Sequence, residues 1–320
     1  MLSTRTKKIF YRATLLSTIT YFVNVSNAIF RYDLQCNTLK NFTTLIYIKL
    51  HMIDSVFKRN NVNITGNLNS PDTIIFAHGF GSDQTAWREI AIAFEKRYRL
   101  ILFDHVGAGE AEESAFSSSK YSSIEAYAFD FIEICTTLDL QSTLFVGHSV
   151  GAMVGLLASI SVPNLFSKLV LIGASPRYLN DKDYIGGFTQ EALDGLYSAM
   201  RTDYLGWASG FSQAAMLNRD QPELATAFEK SLRALRPDIA LTVARSIFQS
   251  DFRNILHQAT TEILLIHSRN DIAVPENVAN YLNKHIPGSR LANIRAEGHF
   301  PHMSAPGEVI SLIQQFYKDA

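Results

Sequence analysis

A serine hydroxyl is a poor nucleophile at neutral pH until a neighbouring base takes its proton, so the surroundings of each serine decide what it can do. Gly147-His148-Ser149-Val150-Gly151 stands out in this respect. The β-prone run Thr143 to Val146 leads into it, and the helix-like run Ala152 to Ala158 leaves it. A strand-to-helix turn of this kind holds the serine on a strained backbone, clear of the sheet, as a nucleophile elbow. The pentapeptide alone is common by chance; its position between strand and helix gives it meaning and makes serine-based hydrolysis the first expectation.

Such a serine needs a histidine to accept its proton and a carboxylate to fix the tautomer of that histidine. In hydrolases built on an elbow the partners follow in chain order, acid then histidine. The chain holds nine histidines and thirty acidic residues, so position must select among them. Glu262 to His267 reads as a buried parallel strand, and Asp271 falls just past its carboxyl end. Arg290 to Ile294 reads as a further strand, followed by the Gly- and Pro-flanked loop that carries His299. Open α/β sheets place their sites at this edge, which selects Asp271 and His299. The bland alternatives are an N-cap role for Asp271 before a helix near Pro275 and a plain surface-loop role for His299. His302 competes as base and Glu297 as acid.

An oxyanion formed on the substrate needs two backbone N–H donors. Val150, next after the serine, supplies one. Thr73 to Ala77 reads as a strand running into His78-Gly79-Phe80-Gly81, and the Phe80 N–H is the second choice. The same turn also reads as the start of a helix from Ser82 to Lys96 with Ser82 as its N-cap.

The length suits one large α/β domain with an insertion or two small domains, and periodicity favours the first. Hydrophobic content of 47% and charged content of 18% are ordinary, and a net charge of −1 argues against a dedicated binder of nucleic acid or anionic membranes. Two cysteines, Cys36 and Cys135, make no disulfide framework, and Cys135 falls as a packing residue in the helix-like run Ser123 to Leu138. Neither metal-ligand spacing nor a P-loop is found, and Gly107-Ala108-Gly109-Glu110 lacks the third glycine and the distant acid of a dinucleotide site. No metal and no cofactor are expected.

Residues 1–51 differ from the rest: basic at Arg5, Lys7, Lys8 and Arg12, then apolar with Ser17, Thr18 and Thr20 interrupting, then Ser26-Asn27-Ala28. That is the layout of a weak secretory signal, too short and polar to span a bilayer. A start at Met52 is the other reading, because Ser55 to Thr65 resembles an opening hairpin with Lys58-Arg59-Asn60-Asn61 as its turn. Residues 1–51 are therefore set apart as a disordered, targeting or mis-started extension. A cytoplasmic location is expected for the domain 52–320, with export as the alternative if residues 1–28 act as a signal.

Five segments carry a family resemblance: His78 to Trp87, Phe103 to Gly109, Gly147 to Gly151, Ser175-Pro176-Arg177-Tyr178-Leu179-Asn180-Asp181, and Glu297 to Ser304. Together they resemble the RsbQ-like α/β-hydrolases, a group that includes the plant strigolactone and karrikin receptors, from about Met52 onward. The resemblance implies an α/β-hydrolase fold, a mostly parallel twisted sheet flanked by helices, with Ser149, Asp271 and His299 as triad and Phe80 and Val150 as oxyanion hole. It also implies a helical lid inserted after the strand Lys168 to Ile172, at about residues 176–252. The helical spacing of Gln190 to Met200 fits such a lid. Phe80, His148, Tyr178, Phe188, Trp207, Phe211, Met216 and Phe300 would line a dry pocket for a small apolar ligand, with helix-to-helix packing as the alternative for the lid residues. Departures from the family fall in the lid, the pocket and Ser268-Arg269-Asn270, and they bear on ligand identity; hormone perception is not implied.

Two functions follow as expectations. One is hydrolysis of a small apolar ester or lactone. The other is a sensor that binds such a ligand and activates a partner phosphatase in a stress sigma-factor pathway, as the resemblance to RsbQ implies. Carbon–carbon bond hydrolysis is a weaker third. Serine at the elbow, where a dehalogenase or epoxide hydrolase needs aspartate, points away from those two chemistries.

Overall fold

Four stretches of the chain are apolar on both faces, and strands that can bury both faces belong in the interior of a parallel sheet. In the computed structural model, which describes residues 53–318, they do so. Strands β2 (Thr73–Ala77), β4 (Thr143–His148), β5 (Phe166–Ile172) and β6 (Glu262–Arg269) lie side by side, with β3 (Arg99–Phe103) beyond β2 and β7 (Arg290–Glu297) beyond β6. All of these pairs are parallel; β1 (Asn63–Gly66) closes the edge antiparallel to β3, giving the order β1-β3-β2-β4-β5-β6-β7. This is the mostly parallel α/β-hydrolase sheet that the sequence resemblance implies.

Successive strand residues face opposite ways, so each strand feeds two cores. On one face Ile74, Phe76, Leu100 and Val146 pack with α1 (Arg88–Phe94) and α10 (Pro306–Lys318), through Ile90, Val309, Ile313 and Phe316. On the other, α2 (Ile124–Thr137) and α3 (Val150–Ser161) cover the sheet, where Phe131 stacks on Phe103 at 5.5 Å between centroids and meets Phe145 at 5.3 Å. Between β5 and β6 run four further helices, α4 (Gln190–Thr202), α5 (Tyr204–Met216), α6 (Pro222–Ala234) and α7 (Pro237–Phe248). Helix α8 (Glu276–His285) connects β6 to β7, and the single turn α9 (Pro301–Ser304) follows β7.

Some expectations need correction. Residues 53–59 are helical, and β1 pairs with β3, so there is no opening hairpin; Asn61, at φ +44°, ends that helix and does not turn a ribbon. The helix expected from Ser82 begins as a 3-10 turn, Gln84–Trp87, capped by Asp83, whose Oδ1 accepts the Thr85 N–H at 2.8 Å. The Ser82 hydroxyl turns back to the Gly79 carbonyl at 3.1 Å, and the cap position belongs to Asp83. The last two strands also run further than expected, to Arg269 and Glu297. The chain divides into two units, Met1–Phe57 and Lys58–Ala320. The readings made for residues 1–51, Cys36 included, lie outside the described residues.

Candidate active site

Ser149 stands between β4 and α3 with φ +55° and ψ −122°, a region a residue with a Cβ rarely enters. Its N–H donates to Ile172 O on the neighbouring strand at 2.8 Å, which holds the turn in place. The flanking glycines are needed for close approach: a Cβ on Gly147 would stand 2.7 Å from the Ala152 Cα, and one on Gly151 would stand 2.5 Å from Ala77 O. The pentapeptide is therefore a geometric device, a strand end and a helix start pressed together around a serine.

His299 Nε2 lies 2.9 Å from Ser149 Oγ, and His299 Nδ1 lies 2.7 Å from Asp271 Oδ2. A carboxylate only accepts, so Nδ1 carries the proton and Nε2 is free to accept from the serine. All three residues are buried. The second carboxylate oxygen of Asp271 accepts the Ala273 and Val274 N–H groups at 2.8 and 3.0 Å. Asp271 thus caps its own turn; the N-cap position of α8 belongs to Pro275. Three segments widely separated in the chain converge at the carboxyl edge of the sheet.

Val150 opens α3, where first-turn N–H groups have no partner within the helix. The loop after β2 approaches from the other side: a Cβ on Gly79 would stand 3.1 Å from the Ser149 Cβ. Two side-chain donors converge on Gly79 O, His78 Nδ1 at 2.8 Å and Ser82 Oγ at 3.1 Å. In a trans peptide the C=O and the following N–H point opposite ways, so anchoring the Gly79 carbonyl aims the Phe80 N–H. His78 is anchored in turn, since its Nε2 accepts the His105 N–H at 2.9 Å while the His105 ring donates to His78 O at 3.1 Å. Burial and the neighbouring His78 hold His105 well below its ordinary pKa.

The expected pocket residues sort into groups. Phe80, Trp207, Phe211, Met216 and Phe300 join one apolar cluster with Phe228 and Leu232. There Trp207 stacks on Phe211 at 5.2 Å and Phe228 meets Phe300 at 4.3 Å. Tyr178 and Phe188 lie outside that cluster, both with their rings against Phe248. Burial drives the Tyr178 hydroxyl pKa up, with the Ser149 hydroxyl pulling it back. His148 is wholly buried, and its Nε2 donates to the His299 carbonyl at 2.7 Å. The competitors fare differently. His302 is buried against Trp87, with centroids 4.5 Å apart, and Glu297 accepts from Asn270 Nδ2 at 3.0 Å. Sequence reasoning missed Phe228 and Leu232, although their spacing of four on an amphipathic helix was a usable signal. It also missed the His78–His105 clasp, which links two loops and leaves no periodic trace.

The base is tied to the inserted helices as well. His299 N–H donates to Ala215 O at the end of α5 at 2.8 Å, and Asn218 Nδ2 donates to Glu297 O at 3.1 Å.

Residues 72–306 match the alpha/beta hydrolase fold family. The chain is 43% identical over 259 residues to a probable esterase of Oryza sativa subsp. japonica, covering 81% of this chain and 95% of that protein. It is 39% identical over 263 residues to a strigolactone esterase of Arabidopsis thaliana, covering 82% and 97%. A karrikin insensitive 2 receptor of Petunia hybrida is 42% identical over 260 residues, covering 81% and 95%. Among solved structures, a hydrolase from Oleispira antarctica superposes with a TM-score of 0.81 at 36% identity, over 84% of this chain and 98% of that one. With its elbow, parallel sheet and inserted helices, the chain belongs to the alpha/beta hydrolase fold family, in the RsbQ-like group that includes the strigolactone and karrikin receptors.

Proposed function

We propose that the chain is a serine hydrolase that cleaves a small apolar ester or lactone through Ser149, His299 and Asp271. The observation that carries the reading is the unbroken hydrogen-bonded line from Asp271 Oδ2 through both nitrogens of His299 to Ser149 Oγ. His299 Nε2 takes the Ser149 proton as Oγ attacks the carbonyl carbon, and Asp271 stabilises the imidazolium that results. The developing oxyanion is received by the Phe80 and Val150 N–H groups. His299 then returns the proton to the leaving alcohol, and a water activated by the same nitrogen releases the acid. Relatives that are themselves esterases support the reaction class. Aromatic side chains around Phe80, Trp207 and Phe300 favour an apolar substrate. The catalytic domain is assigned to residues 52–320 and the lid to about 176–252.

Ser149→Ala should abolish hydrolysis of short p-nitrophenyl esters and labelling by a fluorophosphonate, both of which the wild-type chain should show. Activity that survives this substitution sinks the assignment.

One observation favours a second role. The base hangs from the end of α5 through Ala215 O, so ligand-driven movement of the inserted helices moves His299 too. This fits a slow-turnover sensor whose altered lid engages a regulatory partner, for which a phosphatase of a stress sigma-factor pathway is the proposal. Slow turnover with ligand-dependent capture of such a phosphatase would distinguish this role from simple hydrolysis. Among the described residues no helix is long and apolar enough to cross a membrane.

A further inference from the structure

The hydrolytic scheme leaves His148 without a task, although this residue is wholly buried and is covalently next to the nucleophile. Its ring packs against His302, Phe300 and His299, with centroids 4.4, 4.7 and 4.8 Å away. Nε2 lies 2.7 Å from the main-chain carbonyl of His299. A carbonyl only accepts, so Nε2 carries the ring proton and Nδ1 is the bare nitrogen. On that other side, a Cβ on Gly79 would stand 2.5 Å from Nδ1, so the ring is wedged against the residue that precedes Phe80. One side chain therefore touches the backbone of the base and the loop carrying an oxyanion donor, while its own main chain continues into Ser149.

We infer that His148 is a positioning residue: its Nε2–H holds the His299 carbonyl and thereby sets where the base stands relative to Ser149 Oγ. The inference rests on the hydrolytic reading above. The His299 backbone is gripped at two points, its N–H by Ala215 O and its C=O by His148. Releasing the carbonyl leaves the residue held by its N–H at Ala215 O and by its ring at Asp271, so that it can pivot about those two bonds and shift Nε2 relative to Ser149 Oγ. A misplacement of about 1 Å costs on the order of 10²-fold in rate, while binding of the substrate is left alone. The bond requires a ring that donates at Nε2; burial, followed by the adjacent His302 and His299, keeps His148 well below its ordinary pKa, so the ring that donates is the neutral one.

Three variants test this, with p-nitrophenyl acetate as probe and thermal melting as the check on folding. His148→Leu fills the space without a donor and should lower kcat roughly 10²-fold with KM nearly unchanged. His148→Gln places an amide N–H where Nε2 was and should recover most of kcat. His148→Asn, one methylene shorter, falls short of the carbonyl and should resemble the Leu variant. A folded Leu variant with wild-type kcat overturns the inference. So does equal kcat in the Gln and Asn variants, a comparison that holds even if Leu prevents folding. If Ser149→Ala stays active the hydrolytic reading has failed; if it is dead while His148→Leu is unimpaired, only the role of His148 has failed.

Discussion

Asp271 divides its two oxygens between tasks that a substitution can separate. Oδ1 takes two backbone N–H groups and shapes the turn after β6, while Oδ2 faces the Nδ1–H of His299. Asparagine can keep the first arrangement, because its carbonyl accepts as well as a carboxylate oxygen does. Its NH₂ then meets His299 Nδ1, which must give up its proton, and Nε2, now protonated, is left facing Ser149 with no lone pair to accept from it. Asp271→Asn should therefore melt close to wild type while kcat for ester hydrolysis falls on the order of 10³- to 10⁴-fold. A kcat within a factor of about ten of wild type would show that Asp271 only caps its turn. The three polar groups were legible in the sequence because each lies just past a strand, an apolar buried one for Ser149 and Asp271 and the mostly exposed β7 with its Gly- and Pro-flanked loop for His299. Phe248, His105 and the partner taken by His148 were not, since contacts between loops far apart in the chain leave no periodic pattern.

At the scale of elements, the segment after β7 shows how a short loop is specified. Gly298, at φ +81°, lets the chain leave the strand, donate its own N–H to Arg269 O at 2.9 Å and present His299 to Ala215 O. A Cβ on Gly298 would stand 2.5 Å from Met216 O, a backbone atom that cannot swing aside. Gly298→Ala combines left-handed strain with this overlap, and the cost should be about 1–3 kcal/mol, read as a lower urea midpoint. The end of α5 and the base must move apart, so kcat should drop at least tenfold even at temperatures where the variant is fully folded. Unaltered kcat would show that the tie between α5 and the base does not matter for turnover. The buried strands β4, β5 and β6 were readable from their apolar runs, whereas residues 53–59 were misread as hairpin because turn-prone Asn60-Asn61 marks an element's end without saying which kind of element has ended.

For the molecule as a whole, the buried histidines set how stability responds to acid. His302 is pushed down to about 3 by burial and then by the neighbouring His299. His105 and His148 are also held well below their ordinary value by burial, and burial lowers His267. In the unfolded chain each takes up its proton near about pH 6.5. Between that pH and its depressed folded value the unfolded state binds more protons than the native one, so unfolding free energy rises with pH. The stabilisation is complete above about pH 6.5 and is lost as pH falls toward 3, at up to about 1.4 kcal/mol per pH unit for each histidine. Carboxylates in the unfolded chain titrate mostly below about pH 5, so the interval from about pH 6.5 to about pH 5 isolates the histidines. Among the described residues neither ring nitrogen of His302 has a hydrogen-bond partner, so phenylalanine can replace it without orphaning another group. Urea denaturation across that interval should show a steep loss of stability in the wild-type chain. In His302→Phe the slope should be shallower by close to one proton, with stability at neutral pH equal or higher. Parallel slopes in the two proteins would mean that His302 takes up its proton within the fold.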